Sequence, residues 1–322
     1  MIRSTLACFV ALASLATPAG AQDVSSYPSR TITIVVPFPA GGAADLLARM
    51  AGEEVKASLG QSVVVENRAG GSGITGTEHV SRAEPDGYTL ISAPMFNLSI
   101  SDLVARNSKL DPRTLEPVSV LAAYPTVLYA RANLPVNTLP ELITYVKANP
   151  KKLTYASQGF GQIGHLTVED LKTSADLEIL HVPYRGSAPA VTDLLAGQVD
   201  LLADSVSAGI EHVKNGKFKV LAVGSKERLK AFPDIATFGE TIPGAFSETW
   251  MAVAAPAGTP APIIAKLSSA IAKGFAKPEA KARVAQLQLN LLGSTPEQMA
   301  AIVKATRERW QPVITKAKII IE

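Results

Sequence analysis

Val36-Pro37-Phe38-Pro39-Ala40-Gly41-Gly42-Ala43-Ala44-Asp45 ends an apolar, β-branched run and opens a helical pattern. Tyr155-Ala156-Ser157-Gln158-Gly159-Phe160-Gly161-Gln162-Ile163-Gly164-His165 has the same build much later in the chain. A strand that turns through glycine into a helix leaves the first N–H groups of that helix without intrahelical acceptors, at the positive end of its dipole. Such a spot suits a carboxylate or another small anion. Two of them, far apart in sequence, predict two domains closing on one ligand. The plain alternative is an ordinary strand-to-helix loop, where glycine is common.

Outward from these turns, strand and helix signals alternate. Thr31 to Pro37 reads as a strand. The following helix puts Leu47, Ala51, Val55 and Leu59 on one face, and Gly60 ends it. Ser62 to Glu66 is the next strand; Gly70, Gly71 and Gly73 lead into a helix holding Val80; Pro85-Asp86-Gly87 turns into a strand from Tyr88 to Ser92. This is the grammar of an α/β, doubly wound, mostly parallel sheet. Val118 to Ala130, broken by Pro125, reads as the crossing into a second domain, and Thr249 to Ala255 as the return. Between them lie strands at Lys152 to Ala156, Ile179 to Val182, Val199 to Ala203 and Phe218 to Val223. Thr138 and Glu141 form a capping box, and Ser187 caps a helix that Gly197 stops. Thr259-Pro260 and Thr295-Pro296-Glu297 start the last helical regions. The expected layout is residues 22–125 as the first part of domain 1, 126–248 as an inserted domain 2, and 249–322 as the return of domain 1. Two neighbouring crossings act as a hinge.

Residues 1–21 read as an export signal, with Arg3 before an apolar core from Leu6 to Ala16 and an A-x-A cleavage site at Ala19-Gly20-Ala21. The run is too short for a membrane span. Cys8 sits inside the apolar core, and Thr5 stands where a lipobox wants Leu, so a lipoprotein is not expected. Cleavage would remove the only cysteine, leaving no disulfide or thiol chemistry. It would also remove Arg3, taking 31 basic residues to 30 against 28 acidic ones, a net charge of +2. No Lys/Arg block stands out, which argues against nucleic acid and anionic membranes as partners.

In the first turn, Gly41 and Gly42 admit a ligand without a Cβ in the way, and the amides of Ala40 to Ala43 would face the anion. Asp45 looks out of place there. It would cap its own turn, hold a bridging water or meet a ligand ammonium. Gly159-x-Gly161-x-x-Gly164 is literally a GxGxxG, yet the next strand runs into Pro183-Tyr184-Arg185 where a dinucleotide site wants an acid. The anion reading needs only the amides and the Ser157 hydroxyl. His165 is either a satisfied core imidazole or a ligand contact. His79, His181 and His212 show no metal spacing. Ser72 lacks the glycine at position 74 that a nucleophile elbow requires. Asp204 ends an apolar strand, where open sheets place ligand contacts, or else caps a helix toward Ser207. Arg185 reaches a second carboxylate or is simply solvated. No catalytic group, metal site or cofactor is expected. About four charge-assisted amide bonds of roughly 1.5–3 kcal/mol each, with two helix ends, would cover the roughly −8 kcal/mol of a micromolar ligand after ordering costs.

An ordered set of motifs also resembles a known family. Tyr27-Pro28-Ser29-Arg30, then Val35 to Gly42 with Asp45, then Val64-Val65-Glu66-Asn67-Arg68-Ala69-Gly70-Gly71-Ser72-Gly73 and Pro85-Asp86-Gly87-Tyr88-Thr89-Leu90 open it. Tyr155-Ala156-Ser157 with Gly159, Gly161 and His165, then His181-Val182-Pro183-Tyr184-Arg185-Gly186, Pro256-Ala257-Gly258-Thr259-Pro260 and Ser294-Thr295-Pro296-Glu297 complete it. The chain resembles tripartite tricarboxylate transporter substrate-binding proteins of the Bug (TctC-like) family. The resemblance implies a periplasmic, two-domain periplasmic-binding-protein fold of the Venus-flytrap, type II-like kind. It implies no enzyme, but a receptor delivering a small carboxylate to a membrane permease. Loops matching Phe38–Asp45 and Ser157–His165 would grip the ligand through amides and bridging waters. Ligands of such proteins include di- and tricarboxylates, acidic amino acids and aromatic acids. The distinctive wall candidates here are Met95-Phe96-Asn97 and Gln158-Phe160-Gln162. Phe96 and Phe160 either stack on an aromatic acid or pack the hinge. The expected ligand-binding set is therefore Phe38, Ala40, Gly41, Gly42, Ala43, Asp45, Phe96, Asn97, Ser157, Gly159, Gly161, Gln162, His165, Tyr184 and Asp204. The alternative role is a ligand-sensing partner of a membrane sensor kinase.

Overall fold

Residues 26–105, 110–285 and 287–320 are described by the structure, a computed structural model. The expected export signal, with Cys8 and the cleavage site after Ala21, lies outside the described residues. Strand β1 (Ile32–Val36) passes through the first glycine turn into α1 (Ala43–Leu59). Then come β2 (Val63–Asn67), α2 (Ile74–Ser81), β3 (Thr89–Pro94), the short α3 (Ser101–Val104) and the 17-residue β4 (Leu115–Arg131). The middle of the chain supplies α4 (Leu139–Ala148), β5 (Thr154–Ser157), α5 (Ile163–Ala175), β6 (Leu180–Pro183), α6 (Ser187–Leu195), β7 (Leu201–Ser205), α7 (Val206–Lys214), β8 (Phe218–Val223) and α8 (Phe238–Thr241). The end supplies β9 (Glu248–Pro256), α9 (Ala261–Phe275), α10 (Pro278–Ala285), β10 (Asn290–Leu291) and α11 (Pro296–Ala317).

Two sheets result, and β4 belongs to both. Its first half pairs with β9 as far as Pro125 opposite Glu248. Its second half pairs with β7 from Thr126 opposite Ser205 onward, and with β8. In the first sheet β1 lies parallel between β2 and β3, while β9 runs antiparallel to β3 and β4. In the second, β5 lies parallel between β6 and β7, and only β4 opposes them. Most strands of each sheet thus run one way, as the alternating strand and helix signals predict. The fold is α/β and two-lobed.

Helices cover both faces. The α1 stripe of Leu47, Ala51 and Val55 is buried against Ile263, Leu267 and Ile271 of α9. Gly60 closes α1 at φ 76°, its N–H donating to Lys56 O at 3.0 Å. A second cluster joins the lobes: Phe96, Trp250 and Trp310 pack with Ile163 and Leu166 of α5.

Two local expectations change. Pro125 was expected to break the apolar stretch, but β4 continues through it. A residue without an N–H is tolerated there because it is the last to pair with β9; the next residue, Thr126, already donates its N–H to Ser247 O at 2.9 Å. Ser187 was expected to cap its helix, but Gly186 at φ 111° is the N-cap and Ser187 is the first helical residue. No helix among the described residues is long and apolar enough to cross a membrane.

Candidate functional site

The first turn is open. Ala40, Gly41 and Gly42 are exposed, and a Cβ added at Gly41 or Gly42 would meet nothing within 4 Å. Gly42 is the extended N-cap of α1 and no side chain caps the helix, so the Ala43 and Ala44 amides stand at an undressed helix start. Asp45 resolves into the first of its three readings. Its Oδ2 accepts the Gly41 N–H at 3.1 Å and Arg49 Nε at 3.0 Å, and its Oδ1 accepts Asn67 Nδ2 at 3.0 Å. Burial pushes this carboxyl up, but the hydrogen bonds from Arg49, Asn67 and Gly41 outweigh it and hold it below the usual value. The Gly41 amide, expected to face the anion, is therefore already engaged. Asn67 also donates to Phe38 O at 3.0 Å, so Asp45 and Asn67 together shape the turn.

The second turn is closed. Ser157, Gly159, Gly161 and Gln162 are all buried. Ser157 Oγ donates to Gly159 O at 3.1 Å and lies 2.7 Å from His181 Nε2. Gln158 Nε2 donates to Ala203 O at 3.0 Å. The Gly161 N–H donates to His165 Nδ1 at 3.0 Å, so that nitrogen carries no proton. His165 is thus a satisfied imidazole, stacked on His181 with centroids 3.9 Å apart and beside Phe160 at 4.5 Å. Burial, then His181 and Lys172, depress His165 to about 2; burial and Lys172 depress His181 to about 4.

What meets the second turn across the lobes is a third turn, Gly70 to Gly73. Gln162 Nε2 donates to Ser72 O at 3.0 Å, and Asn97 Nδ2 donates to the same carbonyl at 3.1 Å. A Cβ at Gly159 would stand 2.9 Å from Ser72 Oγ, and one at Gly161 only 2.5 Å from Phe96 Cε2. A Cβ at Gly73 would stand 3.0 Å from Phe38 Cζ, which ties the third turn to the first. These glycines let two lobes touch backbone to side chain. Phe96 is fully buried and packs between the lobes, the hinge-side reading of that residue.

One expected residue is occupied otherwise, and another only in part. The Tyr184 hydroxyl donates to Asp193 Oδ2 at 2.6 Å; burial, then this bond, raise it to about 12. Arg185 is exposed. Asp204 is 3% exposed; its Oδ1 accepts the Ser205 N–H at 2.6 Å, while Oδ2 has no hydrogen-bond partner. Burial raises its carboxyl, and the nearby Gln158, Ser187 and Ser205 side chains act against that rise. Sequence reasoning missed Ser72 and His181 as neighbours of the second turn. The glycines flanking Ser72 were the available signal; nothing local marks His181.

Such a pair of lobes, with the Gly70–Gly73 and Ser157–His165 turns meeting at their junction, is the architecture of a two-lobed solute-binding protein. The family model for "Tripartite tricarboxylate transporter family receptor" matches residues 47–319, which includes the second turn and begins just past the first. The chain belongs to this family. It is 35% identical to Protein BugT of Bordetella pertussis over 325 residues, covering 98% of each chain. It is similar to an R. palustris protein solved with adipate, at 34% identity and TM-score 0.86, covering 91% of this chain and 99% of that one. It is also similar to MatC from Rhodopseudomonas palustris with bound malate, at 31% identity and TM-score 0.83, covering 89% and 100%. The family is described as a receptor, in line with a binding rather than a catalytic role.

Proposed function

We propose that the protein is a periplasmic receptor that traps a small carboxylate between its lobes and passes it to the membrane permease of a tripartite tricarboxylate transporter. One observation carries this reading: each lobe brings a glycine turn that opens a helix, Gly70 to Gly73 into α2 and Gly159 to Gly161 into α5, to the junction where Gln162 meets Ser72. α1 begins without a side-chain cap, so its first amides are available to an anion; at α5 the Gly164 N–H is already taken by Gln158 Oε1 at 3.3 Å. Adipate and malate in the two related structures support a carboxylate as the ligand class. In this proposal residues 22–125 and 249–322 form one lobe and 126–248 the other. The ligand lies against Phe38, Ala40, Gly42, Ala43 and Asn97 from the first, and Gly159, Gly161 and Gln162 from the second. Asp45, Ser157 and His165 shape the turns rather than touch the guest.

The test is a thermal-shift series on the purified protein with mono-, di- and tricarboxylates. A ligand at 100 times its Kd stabilises the folded state by about 2.7 kcal/mol, so the melting temperature should climb with its concentration. No response to any acid would remove the carboxylate reading.

A further inference from the structure

Two buried side-chain oxygens beside the second turn have no hydrogen-bond partner, one from each side of the lobe junction. Asn97 is 0% exposed, and its Nδ2 donates to Ser72 O at 3.1 Å. A carbonyl can only accept, so this bond fixes the orientation of the Asn97 amide. Its Oδ1 then faces away and is unpartnered. The same Ser72 carbonyl receives Gln162 from the opposite lobe, which places Asn97 at the junction. Asp204 stands on the other side. In the parallel pairing of β5 and β7, Tyr155 lies opposite Leu201 and Ala156 opposite Leu202. Two residues further on, Asp204 is level with Gln158, where the second turn begins. Asp204 also pairs with Val127, two residues past Pro125, where β4 leaves the first sheet. Its Oδ1 is satisfied by the Ser205 N–H and its Oδ2 is not.

Buried acceptors of this kind are nearly always paired in a working protein, and leaving one unpaired costs about 1–3 kcal/mol. Thr249 Oγ1 is also unpartnered, on β9 opposite Tyr124. A hydroxyl donates as readily as it accepts, so Thr249 does not set the required polarity. Asn97 Oδ1 does; Asp204 does so only in its ionised form, which burial disfavours and the adjacent Gln158, Ser187 and Ser205 side chains favour. We propose that the ligand carries a hydrogen-bond donor beside its carboxylate, a hydroxyl or amino group held by Asn97 Oδ1 and Asp204 Oδ2. The preference of this receptor is then for hydroxy or amino acids over the unsubstituted acids of the same length. A site built to pair with a donor rejects the analogue lacking it more strongly than an apolar pocket rejects a missing methylene. This inference rests on the carboxylate reading above.

Calorimetric titration of the full protein tests it with matched sets: propionate, lactate and alanine; succinate, malate and aspartate; glutarate, 2-hydroxyglutarate and glutamate. In the set that binds most tightly, a donor-bearing acid should bind at least tenfold more tightly than its parent. Asp204→Asn, which turns an N–H toward the ligand, should cut that ratio below threefold, and Asn97→Leu should reduce it too. Where one variant fails to fold, the other and the wild-type ratio decide. A parent acid that binds as tightly as its derivatives overturns the proposal. So does a parent diacid that binds more tightly, because a protonated Asp204 would donate to its second carboxylate. Failure of every acid to bind the wild type is a different result: it overturns the carboxylate reading, and this inference with it.

Discussion

Asp45 stands at the mouth of the first turn and serves the turn itself. Replacing it with Ala leaves the Gly41 N–H without its acceptor and Asn67 Nδ2 with Phe38 O alone. We expect Asp45→Ala to lower unfolding stability by about 1–3 kcal/mol, measured by urea titration, and to weaken ligand binding through a loosened turn. The histidine stack makes a second prediction at this scale. His165 and His181 are depressed to about 2 and about 4, against 6.5 for an ordinary imidazole. Below pH 6.5 the unfolded chain binds protons that the folded chain refuses, so stability falls as the pH drops from 6.5 toward 4. Each such histidine contributes about 1.4 kcal/mol per pH unit within that window. Urea midpoints from pH 7 to 4 should show this slope, and His165→Phe should flatten it by about half. An unchanged slope in that variant would mean that His165 takes up its proton in the folded state.

At the scale of the element, the second turn is shaped for contact. Gly161 sits at φ 76°, and any side chain there would strike Phe96. Gly161→Ala should leave each lobe folded but hold the lobes apart. Small-angle scattering should then report a larger radius of gyration, with binding at least tenfold weaker; trimming the ring with Phe96→Ala should recover part of that loss. Much of this element was legible beforehand. The apolar run and the glycines placed β5 within two residues, and put the start of α5 at the end of its turn. Thr295 also caps α11 as its Thr-Pro pattern predicts, with its hydroxyl accepting the Gln298 N–H at 3.2 Å. The facing partner was not legible. Ser72 and Phe96 reach the turn only through tertiary closure, and no local pattern encodes which loop of one lobe meets which loop of the other. The same limit explains Glu141, whose carboxylate accepts the Asn137 N–H at 2.7 Å rather than that of Thr138. The helix start was readable, but the last hydrogen bond of its cap was not.

Across the whole molecule, the return segment also holds the lobes together. Arg309 of α11 pairs with Asp170 of α5 and stacks on Phe246 at 5.1 Å and on Trp310 at 4.6 Å. Thr126, Ser247 and Thr167 form a line of buried hydroxyls near the strand crossing, with 3.1 Å between Thr126 Oγ1 and Ser247 Oγ. Removing the ion pair by Arg309→Met should shift the population toward open forms. Apparent affinity falls in proportion to the closed fraction, so a several-fold rise in Kd with an unchanged ligand preference is the expected result. A change in preference would instead place Arg309 in contact with the ligand.

Pro125 and Glu248 face each other across β4 and β9, one at the point where the chain leaves the first sheet and the other where it comes back. The intervening 122 residues (126–247) therefore enter and exit through a single doorway one strand-spacing wide. No strand of the first sheet lies inside that segment, so its exchange leaves the β2-β1-β3-β9-β4 pairings in place. Recombination between related genes at these two codons would hand one half of the gripping surface to a new owner while keeping the other, a short evolutionary route from one cargo to the next.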